Sequence, residues 1–331
     1  MSARQTIAVL LAVIIAAAVT LPAQAQTARP AKPAAKTTPT PPTPSQSTSE
    51  PDVAYAAFQR GHFITAFTEA TRRVETNGDP KAMALLGELY ANGLGVPFNE
   101  QKAAEWYKLA ADRGDRESMF QLAIFRFTGR GGPRDRDEAV RLFAAAAKLG
   151  HPAAAYDLGL LYLEGQQFPQ DFKRAAELFG TSARAGSPEA QYVLATLYKE
   201  GYGVDKDPRE AARWLGIAAS GGNPDAEVEY AIALFNGTGV AKNEAAATAL
   251  FLKSARRGNP IAQNRIAHIL ARGMGRPADP VEAAKWHLVA KAGGNGDPWL
   301  DEFVFKLKPE DRTAAQKAAK PWLDIIAAAS P

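Results

Sequence analysis

The apolar positions of this chain follow a helical rhythm that restarts every 36 residues. Ala154, Leu158 and Leu161, four and three residues apart, show the spacing that lines one side of a helix. A glycine breaks that run, a second helical run follows, and another glycine closes the pair. The closing glycine recurs at Gly78, Gly114, Gly150, Gly186, Gly222, Gly258 and Gly294, and the internal one at Gly93, Gly129, Gly165, Gly201, Gly237 and Gly273. Six intervals pass without insertion or deletion. Self-similarity at this period means stacked supersecondary units rather than one mixed core. The pattern predicts an all-α fold, a right-handed superhelical α-solenoid of six helix-turn-helix repeats over residues 78–293.

Each unit carries its own start and stop signals. Helix A opens on a capping residue followed by proline in Asp79-Pro80, His151-Pro152, Ser187-Pro188, Asn223-Pro224 and Asn259-Pro260; the second unit has Asp115-Arg116 instead. Proline suits that position because its N–H would lack an intrahelical partner anyway. Helix A runs about twelve residues, ~18 Å, to the internal glycine, which can take the left-handed closing geometry. Helix B opens at Asn99, Asp135, Asp171, Asp207, Asn243 and Asp279, and Glu138, Glu210 and Glu282 are placed to complete capping boxes. Small residues recur where helices must approach (Gly87, Gly159 and Ala195 on helix A; Ala103, Ala175 and Ala211 on helix B). Large ones fill the spaces between (Leu86, Leu158 and Tyr230; Trp106, Trp214 and Trp286).

The run from Gly78 to Gly114, with Ala82, Leu86, Gly87, Tyr90, Gly93, Gly95, Val96, Ala103, Trp106, Tyr107, Ala110 and Ala111, resembles the SEL-one-like repeat, a relative of the tetratricopeptide repeat. The resemblance extends through six units and implies a scaffold or adaptor. Departures are Arg126, Leu234 and Leu270 at the position of Tyr90, and Gln167 at that of Gly95. A terminal repeat would expose an apolar face unless covered. Residues 52–77 read as an N-terminal capping half-repeat with Phe63, Phe67 and Val74, and residues 294–331 as C-terminal capping helices. There Trp322, Leu323, Ile325 and Ile326 are expected to fold back on the last unit.

Upstream the pattern changes. Arg4, the apolar run Ile7–Leu21 and Pro22-Ala23-Gln24-Ala25 make the three-part layout of a secretory signal peptide over residues 1–25, cleaved after Ala25. An uncleaved anchor is the other reading. Residues 26–51, rich in Pro, Thr and Ser, read as a flexible tether. The expected destination is outside the cytoplasm, the periplasm if the source is Gram-negative. A net charge of +4 includes Arg4, Arg29, Lys32 and Lys36, so the repeat region is near neutral and nucleic acid is not an expected partner. With no cysteine, thiolate metal sites, disulfides and cysteine nucleophiles are excluded.

Candidate chemistry is sparse. His62, His151, His268 and His287 lack metal-ligand spacing; His268 and His287 approach each other across the last unit, with no carboxylate partner identifiable. Gly93–Gly95 lacks the preceding strand a phosphate loop needs. Arg113-Gly114-Asp115 and Asn236-Gly237-Thr238 are repeat punctuation. Glu227 and Glu229, two apart on a helix, do not face each other. No nucleophile, cofactor box or metal set emerges, so no cofactor and no enzymatic activity is expected. The side of helix A opposite its buried stripe is apolar in the middle units: Phe120, Ile124, Phe127, Tyr156, Leu160, Leu163, Tyr192, Ile232 and Phe235. These are either packing against the neighbouring helix A or a concave groove for a peptide or helix. The functional expectation is a non-catalytic scaffold or regulator in the cell envelope that binds a protein or peptide. The alternatives are a glycan- or peptidoglycan-associated binding protein and, third, an envelope hydrolase.

Overall fold

A computed structural model describes residues 52–165 and 169–329. The leader, the cleavage point after Ala25, the tether and Gln167 lie outside the described residues. Among the described residues there are sixteen helices and no strand. No described helix is long and apolar enough to cross a membrane. Two compact units divide at Asp135 and Arg136.

The first unit holds α1 (Val53–Gln59), α2 (Phe63–Asn77), α3 (Pro80–Asn92), α4 (Glu100–Ala111) and α5 (Arg116–Thr128). The second holds α6 (Arg136–Lys148), α7 (Pro152–Glu164), α8 (Phe172–Arg184), α9 (Pro188–Glu200), α10 (Pro208–Ser220), α11 (Pro224–Asn236), α12 (Glu244–Arg256), α13 (Pro260–Arg272), α14 (Pro280–Ala292), α15 (Pro298–Lys306) and α16 (Pro309–Ala329). Within each unit a helix packs chiefly on its neighbours in sequence, the arrangement of a helical solenoid.

The caps form as the sequence predicts. Asp115, Ser187, Asn223 and Asn259 each accept from the backbone N–H three residues on, and His151 does so through Nδ1 at 3.1 Å to Ala154. Helix A ends on the internal glycine at φ between +65° and +82° in all six repeats. The next helix is then tied back by one bond that ignores side-chain identity. The backbone N–H of its N-cap residue donates to the carbonyl of residue 90, 126, 162, 198, 234 or 270, whether that residue is Tyr, Arg or Leu. This is why the departures at Arg126, Leu234 and Leu270 leave the loop closure intact. Two of the expected capping boxes form only by half. Asp207 and Asp279 accept from the N–H of Glu210 and Glu282, but those glutamates turn outward to Arg213 and Lys285, because the N-cap N–H is already engaged.

The small residues have identifiable causes. A methyl on Gly87 would lie 2.6 Å from the Tyr107 ring, and one on Gly159 would lie 3.1 Å from the Phe179 ring. The second glycine of the loop serves the stacking between repeats. Gly131, Gly203 and Gly239 sit against the carbonyls of Glu100, Phe172 and Pro208, each at the start of helix B in the preceding repeat.

At the C-terminus, α14 carries buried Trp286, whose ring meets Trp322 of α16 at 5.2 Å. Leu323 and Ile326 are partly covered, whereas Ile325, expected to fold back, is 65% exposed. Ile325 stands roughly 160° round α16 from Leu323, so it turns outward where Leu323 is covered.

Candidate functional site

The nine apolar residues predicted on the outer side of helix A divide between the units. In the first unit Phe120, Ile124 and Phe127 are half-buried on α5, and the Arg134 guanidinium lies 5.6 Å from the Phe127 ring. In the second unit Tyr156, Leu160, Tyr192, Ile232 and Phe235 are half-buried. Ile232 and Phe235 pack against the core of the last two repeats, and Tyr156 packs edge-on to Phe179 at 5.6 Å. Leu163 is 1% exposed and belongs to the core. On α7 Ala153 is exposed, and Tyr156, Asp157, Leu160 and Glu164 are all half-buried.

Carboxylates lie among these apolar residues. The Tyr192 hydroxyl donates to Glu229 Oε1 at 3.0 Å, and Lys199 Nζ donates to Glu229 Oε2 at 2.9 Å, joining α9 to α11. Burial first, then Glu229, raises the Tyr192 phenol above the usual tyrosine range. Burial, followed by Glu189 and Asp157, does the same to Tyr156. Burial pushes Asp157 up to about 7, with His151 only partly opposing it. Asp225 is raised by burial and by Glu229, and Glu164 by burial against Arg136.

The Asp157 shift has a consequence for stability. The folded state holds this proton more tightly than the unfolded chain, so ionising Asp157 removes stability as pH rises from about 4 through 7. Asp157→Asn is expected to stabilise the protein by about 2 kcal/mol at pH 8, a gain that fades toward pH 4. Urea melts of both proteins across that range check it; a difference independent of pH would refute it.

Glu227 and Glu229 make separate contacts. Glu227 is buried, with Oε1 held by Lys253 at 2.6 Å and Arg257 at 3.1 Å, while Oε2 has no partner. The same position carries Gln191 and Gln263, whose amides donate to the carbonyls of Ala183 and Ala255. A carboxylate cannot make that bond. Glu227→Gln is therefore expected to leave the melting midpoint unchanged or raise it, despite losing two ion pairs. A drop of more than about 1 kcal/mol in a chemical melt would contradict this account.

Two of the four histidines have carboxylate partners that the spacing of the sequence does not reveal. His268 pairs with Asp297 at 3.0 Å and stacks on Trp299, and His287 pairs with Asp301 at 2.7 Å, which Lys291 also contacts at 2.7 Å. Both carboxylates lie at the start of α15, so these pairs dock the capping helix. The available signal was the Asp297-Pro298 cap followed by Asp301 one turn later. Among the described residues no three His, Asp or Glu side chains are placed to hold a metal ion. A cleft of about 790 Å³ opens beside α8 and α10, lined by Lys173, Arg184, Glu177, Tyr198, Arg213 and Trp214. The Arg213 guanidinium covers the Trp214 ring at 4.2 Å.

The repeat geometry is matched by comparison with known proteins. The family model of the Sel1 repeat matches six consecutive windows, residues 80–115, 116–151, 152–187, 188–223, 224–259 and 260–295. The chain belongs to the Sel1 repeat family. A crystal structure of a protective antigen from uropathogenic Escherichia coli strains, described as displaying an SLR fold, is 26% identical with a TM-score of 0.69. The match covers 81% of this chain and 61% of that one, so the chain spans less than two thirds of that relative. A Sel1 repeat protein from Oxalobacter formigenes is 27% identical with a TM-score of 0.58, covering 72% of this chain and 94% of its own. No curated protein matches. Repeats of this kind generally mediate protein–protein interaction.

Proposed function

We propose that this protein is a non-catalytic scaffold or regulator of the cell envelope that binds a protein or peptide partner on the helix-A side of its repeats. The observation that carries the reading is the half-buried face of α7, α9 and α11, where Tyr156, Leu160, Tyr192 and Ile232 keep part of their surface in solvent. A solenoid side built of aromatic and aliphatic groups offers a partner more than isolated surface apolar residues do. Export is supported by Arg4, the apolar run Ile7–Leu21 and the small residues before Gln26. The exported form is expected to begin at Gln26, which N-terminal sequencing of an envelope fraction reads directly.

The binding face is tested by replacing Tyr156 and Tyr192 together with serine. Partner capture in an envelope crosslinking experiment is expected to fall at least tenfold while the melting midpoint moves little. A large loss of stability with capture retained would assign both rings to the core and overturn the reading.

A further inference from the structure

The cleft beside α8 and α10 has a local cause. Gly180 of α8 and Leu194 of α9 both line it. One repeat on, the same two positions hold Gly216 and Tyr230, and the Tyr230 ring fills the space: a methyl added to Gly216 would lie 3.1 Å from it. Leucine in place of that ring leaves the earlier junction open. What reaches over Gly180 instead is a guanidinium. The three atoms nearest to a methyl added there would be Nη1, Nη2 and Cζ of Arg184, at 3.2, 3.7 and 3.8 Å. Four cations and two carboxylates line the cleft. Arg174 is paired with Glu177 at 2.8 Å, and Arg213 with Glu210 at 2.7 Å. Among the described residues Lys173 and Arg184 have no carboxylate partner, and both are exposed. They stand within roughly 20° of each other around α8 and ~16 Å apart along its axis. No other helix B carries cations at both of these positions.

Two unpaired cations at the ends of a walled cleft concentrate a positive potential between them. Arginine holds a carboxylate through two parallel N–H bonds, and lysine adds a point charge. Two glutamates four apart in an extended peptide span ~13 Å, and the side chains on both partners cover the remainder. A sugar acid fits less well. Trp214 is buried in the cleft wall and its ring is covered by Arg213 at 4.2 Å, so it offers no open face for a sugar to stack on. We infer that the cleft receives an extended acidic segment of a protein partner, with one carboxylate on Arg184 and a second on Lys173. The site is separate from the helix-A face, because Leu194 and Tyr198 stand roughly 160° and 120° round α9 from Tyr192.

The test uses the full chain and three labelled, end-blocked ten-residue peptides of alanine, threonine and valine. One carries two glutamates four apart, one carries them side by side, and one carries glutamines in their place. Fluorescence anisotropy is expected to show the spaced-glutamate peptide binding at least tenfold tighter than either of the others, with an affinity that falls as salt is raised. Arg184→Gln is expected to weaken that binding at least fivefold, and Lys173→Gln to erase the difference between spaced and adjacent glutamates. Lys317→Gln, an equal charge change on α16, is expected to leave both. Leu194→Tyr keeps every charge and copies the filled junction at Gly216, so it is expected to close the cleft and abolish binding with little change in the melting midpoint. Tyr156→Ser with Tyr192→Ser is expected to leave binding as it is; loss there would move the peptide to the helix-A face and overturn the inference. Equal binding of the three peptides, or full affinity in Arg184→Gln or in folded Leu194→Tyr, would overturn it as well. A galacturonic acid tetramer that binds more tightly than the spaced peptide would assign the cleft to an acidic glycan instead.

Discussion

Trp286→Ala is expected to lower stability by about 3–5 kcal/mol, the range for truncating a large buried aromatic. Trp286 is 1% exposed and sits between the core of the last repeats and the ring of Trp322, with Lys285 Nζ 4.3 Å from its own ring. Truncation leaves a cavity and also removes the surface on which α16 rests. Each helix packs chiefly on its sequence neighbours, so the damage should begin locally. Hydrogen exchange should accelerate first in α14, α15 and α16, while α7 to α10 keep their protection. Uniform acceleration through the second unit would show that the repeats unfold as one block. Trp286→Phe is expected to cost far less, because the indole N–H is buried without a partner and its removal relieves that penalty.

Gly239→Ala is expected to cost about 3 kcal/mol or more. The residue has φ +70°, a region that L side chains rarely adopt, and its new methyl would lie 1.8 Å from the Pro208 carbonyl oxygen. Gly258→Ala is the control. It has φ +91° but nothing within 4 Å of the added methyl, so only the backbone term of about 1–2 kcal/mol applies. Urea melts of the two variants separate conformational strain from collision between repeats. Equal losses would mean that the approach to Pro208 carries no weight.

The hairpins were legible because their determinants are local. Caps, glycines and the alternation of small and large positions act within a few residues, and the expected helices form around them. The halved capping boxes show the limit of that reading: Glu210 has the right spacing, but the N–H it would bind is already taken by a carbonyl nine residues back, that of Tyr198. Of the nine apolar residues read on the outer side of helix A, eight are half-buried and Leu163 is 1% exposed. A wheel drawn for one helix assigns Leu163 to the outside, yet it is buried in the folded chain. Asp157 and Glu164 are half-buried like Leu160, and a search for apolar positions passes over them. The His268–Asp297 and His287–Asp301 pairs depend on how α15 folds over α13 and α14; the Asp297-Pro298 cap and Asp301 mark where α15 begins but not which histidines it meets.

The loop glycine also restricts how such a chain can change length. Gly203 and Gly239 must each arrive beside one carbonyl of the previous hairpin, at Phe172 and Pro208. Adding or removing a single residue in the intervening helix would rotate the arriving loop by ~100° and miss that contact. Removing a whole repeat restores the register wherever the loop glycine meets the same carbonyl position, as at Gly131, Gly203 and Gly239. Variation by duplication or loss of complete repeats is therefore open to this architecture, and variation by small steps inside a repeat is closed. A chain assembled under that rule alters its reach in fixed increments while each surviving junction keeps its fit.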